Sequence, residues 1–393
     1  MHRYQNKFNP TINITSMKRH LFSTLTAVLV LALSACHTKP SQPAAEPESL
    51  NPLPILFGDP YVLLASDGNY YMYGTSLADG FEAYVSADLH DWQPCGQVFR
   101  AGSSDDWDID CFWAPEVYER NGKFYLFYSA NSKDNPTAEA ENFQIGVAVA
   151  DSPKGPFTHL MNRPVFKASY PVIDANVLFD DSSDRCWLYF SRCCYKHPVE
   201  SEIADSARRA GTFAQVEESW VYGVELKPDF SGIIGEPVLL LAPPAQLSDT
   251  QAEWESRSVL SGEVNRRWTE GSFIFKNNDT YYMMYSANSY QGAHYAVGYA
   301  TSKHPLGPFV KSEFNPILQE NISRGGSVMG TGHNMMFRTT DGQMMTSYHG
   351  RLASNPGERV VFIDPMEIDA EGHLIIHGPT VKQEKKDSAD TED

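Results

Sequence analysis

The stretch Asp67-Gly68-Asn69-Tyr70-Tyr71-Met72-Tyr73-Gly74 is a turn followed by an apolar, aromatic strand. It returns as Asn121-Gly122-Lys123-Phe124-Tyr125-Leu126-Phe127-Tyr128-Ser129, and again as Ser183-Asp184-Arg185-Cys186-Trp187-Leu188-Tyr189-Phe190-Ser191. A fourth copy is Asn278-Asp279-Thr280-Tyr281-Tyr282-Met283-Met284-Tyr285-Ser286, and a weaker fifth is Asp341-Gly342-Gln343-Met344-Met345-Thr346-Ser347-Tyr348. Asn, Asp and Gly accept the backbone angles of tight turns, and aromatic side chains suit a pleated, half-buried surface. Each copy therefore predicts a β-hairpin.

A second phrase follows several copies. Gly146 to Phe157 matches Val297 to Phe309, both closing on Gly-Pro-Phe, and Glu82 to Trp92 is a looser version. Each unit is then a short strand, a hairpin, a third strand and a turn into a fourth. Copies recur at roughly 50–60 residues, the length of a four-stranded propeller blade. Only between the third and fourth do about 90 residues intervene, so Pro198 to Arg267 should carry an insertion or a long loop. The predicted fold is all-β: a five-bladed β-propeller over residues 51–379, with four-stranded antiparallel blades around a central channel. Helical periodicity is not convincing anywhere.

The segments outside the repeats read differently. Lys18-Arg19 precede an apolar run from Leu21 to Leu33. That run is shorter than the roughly 20 residues of a membrane-spanning helix but suits a secretory signal. It ends in Leu33-Ser34-Ala35-Cys36, which resembles a bacterial lipobox. Residues 1–36 are thus expected to be a signal peptide with Cys36 lipidated, and residues 37–50 a flexible tether. Residues 380–393 should form a charged, disordered tail. The expectation is an exported bacterial lipoprotein of the periplasm, outer membrane or cell surface, touching membrane only through its anchor. Five cysteines remain beyond Cys36, with no CxxC pair, and are expected as buried thiols. A net charge of −18 over 393 residues excludes general nucleic-acid binding. Oligomeric state is not legible.

About 9 to 13 residues before each aromatic strand, one ionisable residue sits in an apolar or Gly/Pro context: Asp59, Glu116, Asp174, Glu270 and His333. Blades pack radially with their first strands lining the channel, so these five groups are predicted around one axis. Crowded carboxylates raise each other's proton affinity, which separates an acid from a base. Such a pair suits hydrolysis of a glycosidic bond, one carboxyl protonating the leaving oxygen and the other handling water. No P-loop, GxGxxG, HExxH or GxSxG motif competes.

On these same residues the sequence resembles glycoside hydrolase family 43, a family of five-bladed propellers, from about Leu53 to Ile376. The resemblance implies Asp59 as base, Asp174 as the aspartate that tunes the acid, and Glu270 as acid. It implies His333 as the histidine that fills the channel and often contacts a metal ion through water, and with it a Ca2+ ion in the central channel near His333 that the chemistry itself does not require. Arg351 and Trp113 resemble the arginine and aromatic wall beside the sugar. Ser272 stands where the family commonly has Pro after Glu270-Gly271. Glu116 and His349 are read as structural. The implied activity is inverting release of terminal α-L-arabinofuranosyl residues from plant cell-wall polysaccharide or oligosaccharide. Exo-β-D-xylosidase, endo-α-1,5-L-arabinanase and a non-catalytic glycan-binding propeller follow in that order.

Overall fold

The computed structural model describes residues 51–101, 103–180, 182–194, 201–210, 215–257, 260–261 and 264–382. The expected signal peptide, tether and all but the first three residues of the expected tail lie outside them.

The repeated phrases become four-stranded antiparallel meanders. The first comprises β1 (Gly58–Leu64), β2 (Tyr70–Thr75), β3 (Gly80–Ser86) and β4 (Gln93–Arg100). The second is β5 (Trp113–Arg120), β6 (Lys123–Asn131), β7 (Phe143–Ala150) and β8 (Thr158–His159). The third is β9 (Val172–Phe179), β10 (Cys186–Cys194), β11 (Gln215–Leu226) and β12 (Ile233–Leu241). After the two-residue β13 (Leu260–Ser261), the fourth runs β14 (Val264–Asn277), β15 (Thr280–Ala287), β16 (Ala296–Ser302) and β17 (Val310–Lys311). The last is β18 (Val328–Arg338), β19 (Met344–Leu352), β20 (Asn355–Ile368) and β21 (Leu374–Ile376). Parallel pairing of Gln215–Ser219 with Val264–Trp268 joins the third and fourth meanders into one nine-stranded sheet.

The long interval from Pro198 to Arg267 is therefore not a plain insertion. It holds the outer two strands of the third meander, flanked by two short helices that the sequence reading missed. Helix α1 (Glu202–Arg209) is capped by the Ser201 side chain, which accepts the Ala204 N–H, with Glu202 and Asp205 in its first turn and Arg208 and Arg209 in its last. Helix α2 is Ala252–Glu255. The signal for α1 is thus its serine cap and the sign of its end charges.

Turn chemistry behaves as the phrases require. Asn121 and Gly122 have φ of 52° and 73°, the geometry of a type I′ hairpin. The phrase tyrosines Tyr73, Tyr128, Tyr189, Tyr285 and Tyr348 are fully buried. Each hydroxyl has a partner: Pro153 O, Asp108, Pro305 O, Glu255 and Asp364 respectively. An unpaired hydroxyl there would cost roughly 1–3 kcal/mol, so the pairing matters as much as the ring.

The first strands neighbour one another in a closed cycle: β1 with β5, β5 with β9, β9 with β14, β14 with β18, and β18 back to β1. The first and last described residues help close it, since Leu53 N–H donates to Val361 O and Asn51 bonds Asp364 and Thr380. Lys382 N–H also reaches Asn51 O, so the folded unit extends three residues past Pro379.

Candidate active site

Each first strand breaks register, β18 twice. The breaks fall between Gly58 and Tyr61 on β1, Trp113 and Glu116 on β5, Ile173 and Asn176 on β9 opposite Tyr189–Ser191, Glu270 and Phe273 on β14, and, the second of its two, Gly332 and Met335 on β18. At each break one residue has positive φ: Asp59 (54°), Ala114 (47°), Asp174 (62°), Gly271 (57°) and His333 (51°). For the four residues that are not glycine, that conformation costs about 1–3 kcal/mol, strain of the kind that gathers at functional sites.

The same alignment refines the expected ring of five ionisable groups. Asp59, Asp174 and His333 occupy the equivalent bulge position, Glu270 precedes its bulge glycine, and Glu116 lies two residues beyond Ala114. Glu116 consequently points to other partners, accepting from Tyr118 Oη and Asn176 Nδ2. Asn176 Oδ1 in turn accepts Ile274 N–H, so this layer ties β5, β9 and β14 together.

What holds the bulges is the residue that ends, or directly follows, the preceding hairpin phrase. Thr75 Oγ1 accepts Ala114 N–H, Ser129 Oγ accepts Asp174 N–H, and Ser286 Oγ accepts His333 N–H. In the third meander Ser191 Oγ instead donates to Asp174 Oδ2, and that oxygen accepts Gly271 N–H. In the fifth the role falls to His349, whose Nδ1 accepts Asp59 N–H. A serine or threonine at or just after the end of the first four phrases was visible in the sequence; its function was not.

Asp59 sits among cations and donors. Its Oδ1 lies 3.1 Å from Arg359 Nη1 and 3.2 Å from His333 Nδ1, while Oδ2 accepts Thr75 Oγ1 at 2.7 Å. Burial pushes its proton affinity up, but Arg359 and then His333 outweigh it and hold the carboxyl well below the usual range. Asp59 is therefore ionised.

Glu270 has the opposite environment. It is buried, and Tyr295 Oη donates to its Oε1 at 2.8 Å. Burial and then the charge of Asp174 push its carboxyl well above the ordinary value, against the smaller effect of the Tyr295 bond. Asp174 is also raised, burial outweighing His333 and its bonds to Ser191 and Gly271. Gly271 needs its bare Cα: a Cβ there would come within 3.1 Å of the His333 ring, at positive φ. The substitution of Ser272 for the family's common Pro leaves that glycine bulge in place. Two carboxyls in one cluster are thus set to opposite protonation states, which is what acid–base cleavage needs.

The other expected site residues lie as follows. Trp113 opens β5 directly before Ala114, its ring 4.3 Å from Phe143 in a cluster with Ile173 and Trp268. Arg351 is buried and donates to Tyr290 O and Pro356 O, which fixes the loop carrying Tyr290. Arg359, Tyr295 and Thr75 were not singled out from the sequence. Gly58 makes room for Arg359, since a Cβ at Gly58 would lie 2.0 Å from its Cζ.

Calcium takes six to eight oxygen ligands. The carboxylate in contact with His333 is Asp59, already committed to Thr75 and Arg359. The set does not fit directly coordinated calcium, and no step below passes through a metal. Among the described residues Asp106, Asp108 and His159 have metal-like spacing. There His159 Nε2 lies 3.0 Å from both Asp108 oxygens and Tyr128 Oη donates to the same carboxylate, so the group reads as a hydrogen-bonded network. Cys95, Cys111 and Cys186 form no disulfide, and burial pushes the Cys111 and Cys186 thiols up to about 11.

An all-β scaffold that sets one carboxyl low and another high beside His333 and the buried His349 suits acid–base cleavage of a glycosidic bond. Residues 49–374 match Glycosyl hydrolases family 43, and the chain belongs to that family. It is 27% identical to a β-D-galactofuranosidase of Aspergillus niger over 91% of this chain and 96% of that protein. It is 28% identical to xylosidase/arabinosidase 43A of Humicola insolens over 52% of this chain and 58% of that protein. Among solved structures, a thermostable family-43 glycoside hydrolase superposes with a TM-score of 0.70 at 32% identity, covering 86% of this chain and 98% of that one.

Proposed function

We propose that the chain is an exo-acting, inverting glycosidase that removes terminal α-L-arabinofuranosyl residues from plant cell-wall polysaccharides or oligosaccharides, built as a five-bladed β-propeller. The observation that carries this reading is the contrast in surroundings: Asp59 bonds Thr75 and lies against Arg359 and His333, which lower its carboxyl, while Glu270 is buried against Tyr295 with its carboxyl raised by burial and by Asp174. Asp59, as carboxylate, takes a proton from a water molecule attacking the anomeric carbon. Glu270 gives its proton to the departing glycosidic oxygen, which keeps the electron pair of the broken bond. Asp174, with its charge near Glu270, keeps that proton in place until the transfer. Inversion requires the two carboxyls to stand roughly 6.5–9.5 Å apart, with room for the water. Trp113 and the Tyr290 loop held by Arg351 are the proposed walls beside the sugar.

Two considerations favour a furanosyl substrate and leave a second reading beside it. The Aspergillus niger relative, which matches over most of this chain, is named for galactofuranose. β-D-Galactofuranose carries the ring stereochemistry of α-L-arabinofuranose with one further carbon on its tail. The Humicola insolens relative is named for both xylose and arabinose, which supports exo-β-D-xylosidase as the second reading. Export and anchoring through Cys36 belong to the same proposal, and incorporation of labelled palmitate, lost in Cys36→Ala, tests them.

The deciding experiment incubates the protein with 4-nitrophenyl α-L-arabinofuranoside, β-D-xyloside and β-D-galactofuranoside, and with arabinan, arabinoxylan and xylo-oligosaccharides. Arabinose as the first product, appearing by proton NMR as the inverted β-anomer, is the expected result. Xylose alone selects the second reading, oligosaccharides without monomer select an endo-arabinanase, and a retained anomer removes Asp59 from the role of base.

A further inference from the structure

Tyr295 lies in the loop just ahead of β16 and is 1% exposed, although it belongs to neither hairpin phrase. Its hydroxyl donates to Glu270 Oε1. Its ring is stacked on His349, centroids 5.5 Å apart and planes 13° from parallel. On β18, Gly332 leaves the space the ring needs, since a Cβ there would come within 2.2 Å of Tyr295 Cε1. The ring is thus wedged between two strands, and its hydroxyl has little freedom to swing away. His349 in turn accepts Asp59 N–H, so one stacked pair spans from the acid to the backbone of the base.

We propose that Tyr295 is a positioning residue for the acid: its hydroxyl occupies Glu270 Oε1 as a donor and so assigns the transferable proton to Oε2. This rests on the reading of Glu270 as acid. A carboxylic acid has one O–H, and an oxygen accepting a tyrosine proton presents a lone pair in that direction, so the acid's own proton belongs on the other oxygen. In the transfer, the Oε2–H bond breaks, its proton joins the leaving oxygen, and the electron pair stays on Glu270. The carboxylate so formed accepts the Tyr295 hydrogen bond more strongly than the neutral acid did, because charge-assisted bonds are stronger. The contact is then worth more at the transition state than in the resting enzyme, the condition for raising kcat. Tyr295 stays a donor throughout, since burial and then the nearby Glu270 and Asp59 push its own ionisation well above the ordinary tyrosine value.

Tyr295→Phe tests this, assayed with an oligosaccharide and with the 4-nitrophenyl glycoside of the same sugar, arabinose or xylose, whichever the wild type cleaves. The expected result is a kcat loss of about 10- to 100-fold on the oligosaccharide with KM little changed, and a much smaller loss on the nitrophenyl glycoside, whose leaving group needs little acid help. Gly332→Ala, which displaces the ring while keeping the hydroxyl, should reproduce the pattern. Equal losses on both substrates, as plain destabilisation would give, overturn the proposal. A crystal structure of Tyr295→Phe decides independently of turnover: the Glu270 carboxyl should rotate, and an unmoved carboxyl also overturns it. A wild type that cleaves neither sugar refutes the substrate reading alone.

Discussion

His349 Nδ1 accepts the backbone N–H of Asp59 at 3.2 Å, and this fixes the state of the histidine. An accepting Nδ1 carries no proton, so the 3.4 Å approach of the same atom to Asp59 Oδ1 is not an ion pair despite its distance. Burial agrees, lowering the imidazole to about 4. The unfolded chain takes that proton near pH 6.5 and the folded chain resists it until about 4, so the unfolded state binds more protons in between. Stability from this site is complete above pH 6.5 and falls as pH drops through the window, by about 3 kcal/mol in all. In His349→Gln, whose amide oxygen can still accept the Asp59 N–H, urea unfolding between pH 7 and 4 should show a flatter profile. An unchanged slope would mean the histidine is charged in the fold.

Gly58→Ala should separate the state of the base from the stability of the fold. The added Cβ collides with the guanidinium end of Arg359, a flexible group that can move aside cheaply. Moving it removes the largest cation acting on Asp59. The acid limb of kcat/KM should shift to higher pH by about one unit, with thermal stability nearly unchanged. A limb that stays in place would show that His333 alone holds Asp59 ionised.

The all-β class and the meanders were legible because turn residues and aromatic strands recur in phase, and each copy folds by the same local rules. Asp59, Asp174, Glu270 and His333 were legible for the same reason, since repeat phase places residues far apart in sequence on neighbouring strands. Arg359 was not, because it reaches Asp59 from β20, where no phrase marks the position, and because the nearer Arg351 offered a simpler match. Tyr295 was hidden in a loop whose length follows no repeat. Helix α1 escaped because its eight residues offer only three apolar positions, Ile203, Ala204 and Ala207, too few to stand out against a background of strands.

Glu116 predicts the opposite slope to His349. Burial, and then the Asp174 charge, raise its carboxyl to about 8, against its bonds to Tyr118 and Asn176. The folded state holds a proton there that the unfolded state releases near pH 4.5, so stability falls as pH rises from 4.5 to about 8. Glu116→Gln keeps an acceptor for Tyr118 and Asn176 and has nothing to ionise. It should equal the wild type below pH 4.5 and exceed it at pH 8 by roughly 3–5 kcal/mol in denaturant unfolding. A variant less stable than wild type at pH 8 would show that Glu116 is ionised in the fold and that its charge is used.

Asp59→Asn and Glu270→Gln should fail differently, and the difference is the sharpest check on which carboxyl does what. Without Asp59 no group activates the water, so turnover should fall by about 10²- to 10⁴-fold on every substrate regardless of leaving group. Without the Glu270 proton only the departure of a basic oxygen suffers. Glu270→Gln should lose a similar factor on an oligosaccharide but far less on a 4-nitrophenyl glycoside, while still binding substrate. Parallel steady-state kinetics on the two substrate types read this directly. If Asp59→Asn shows the leaving-group dependence and Glu270→Gln does not, the two roles are exchanged, and the cations around Asp59 would have to be serving a proton donor, which their charge opposes.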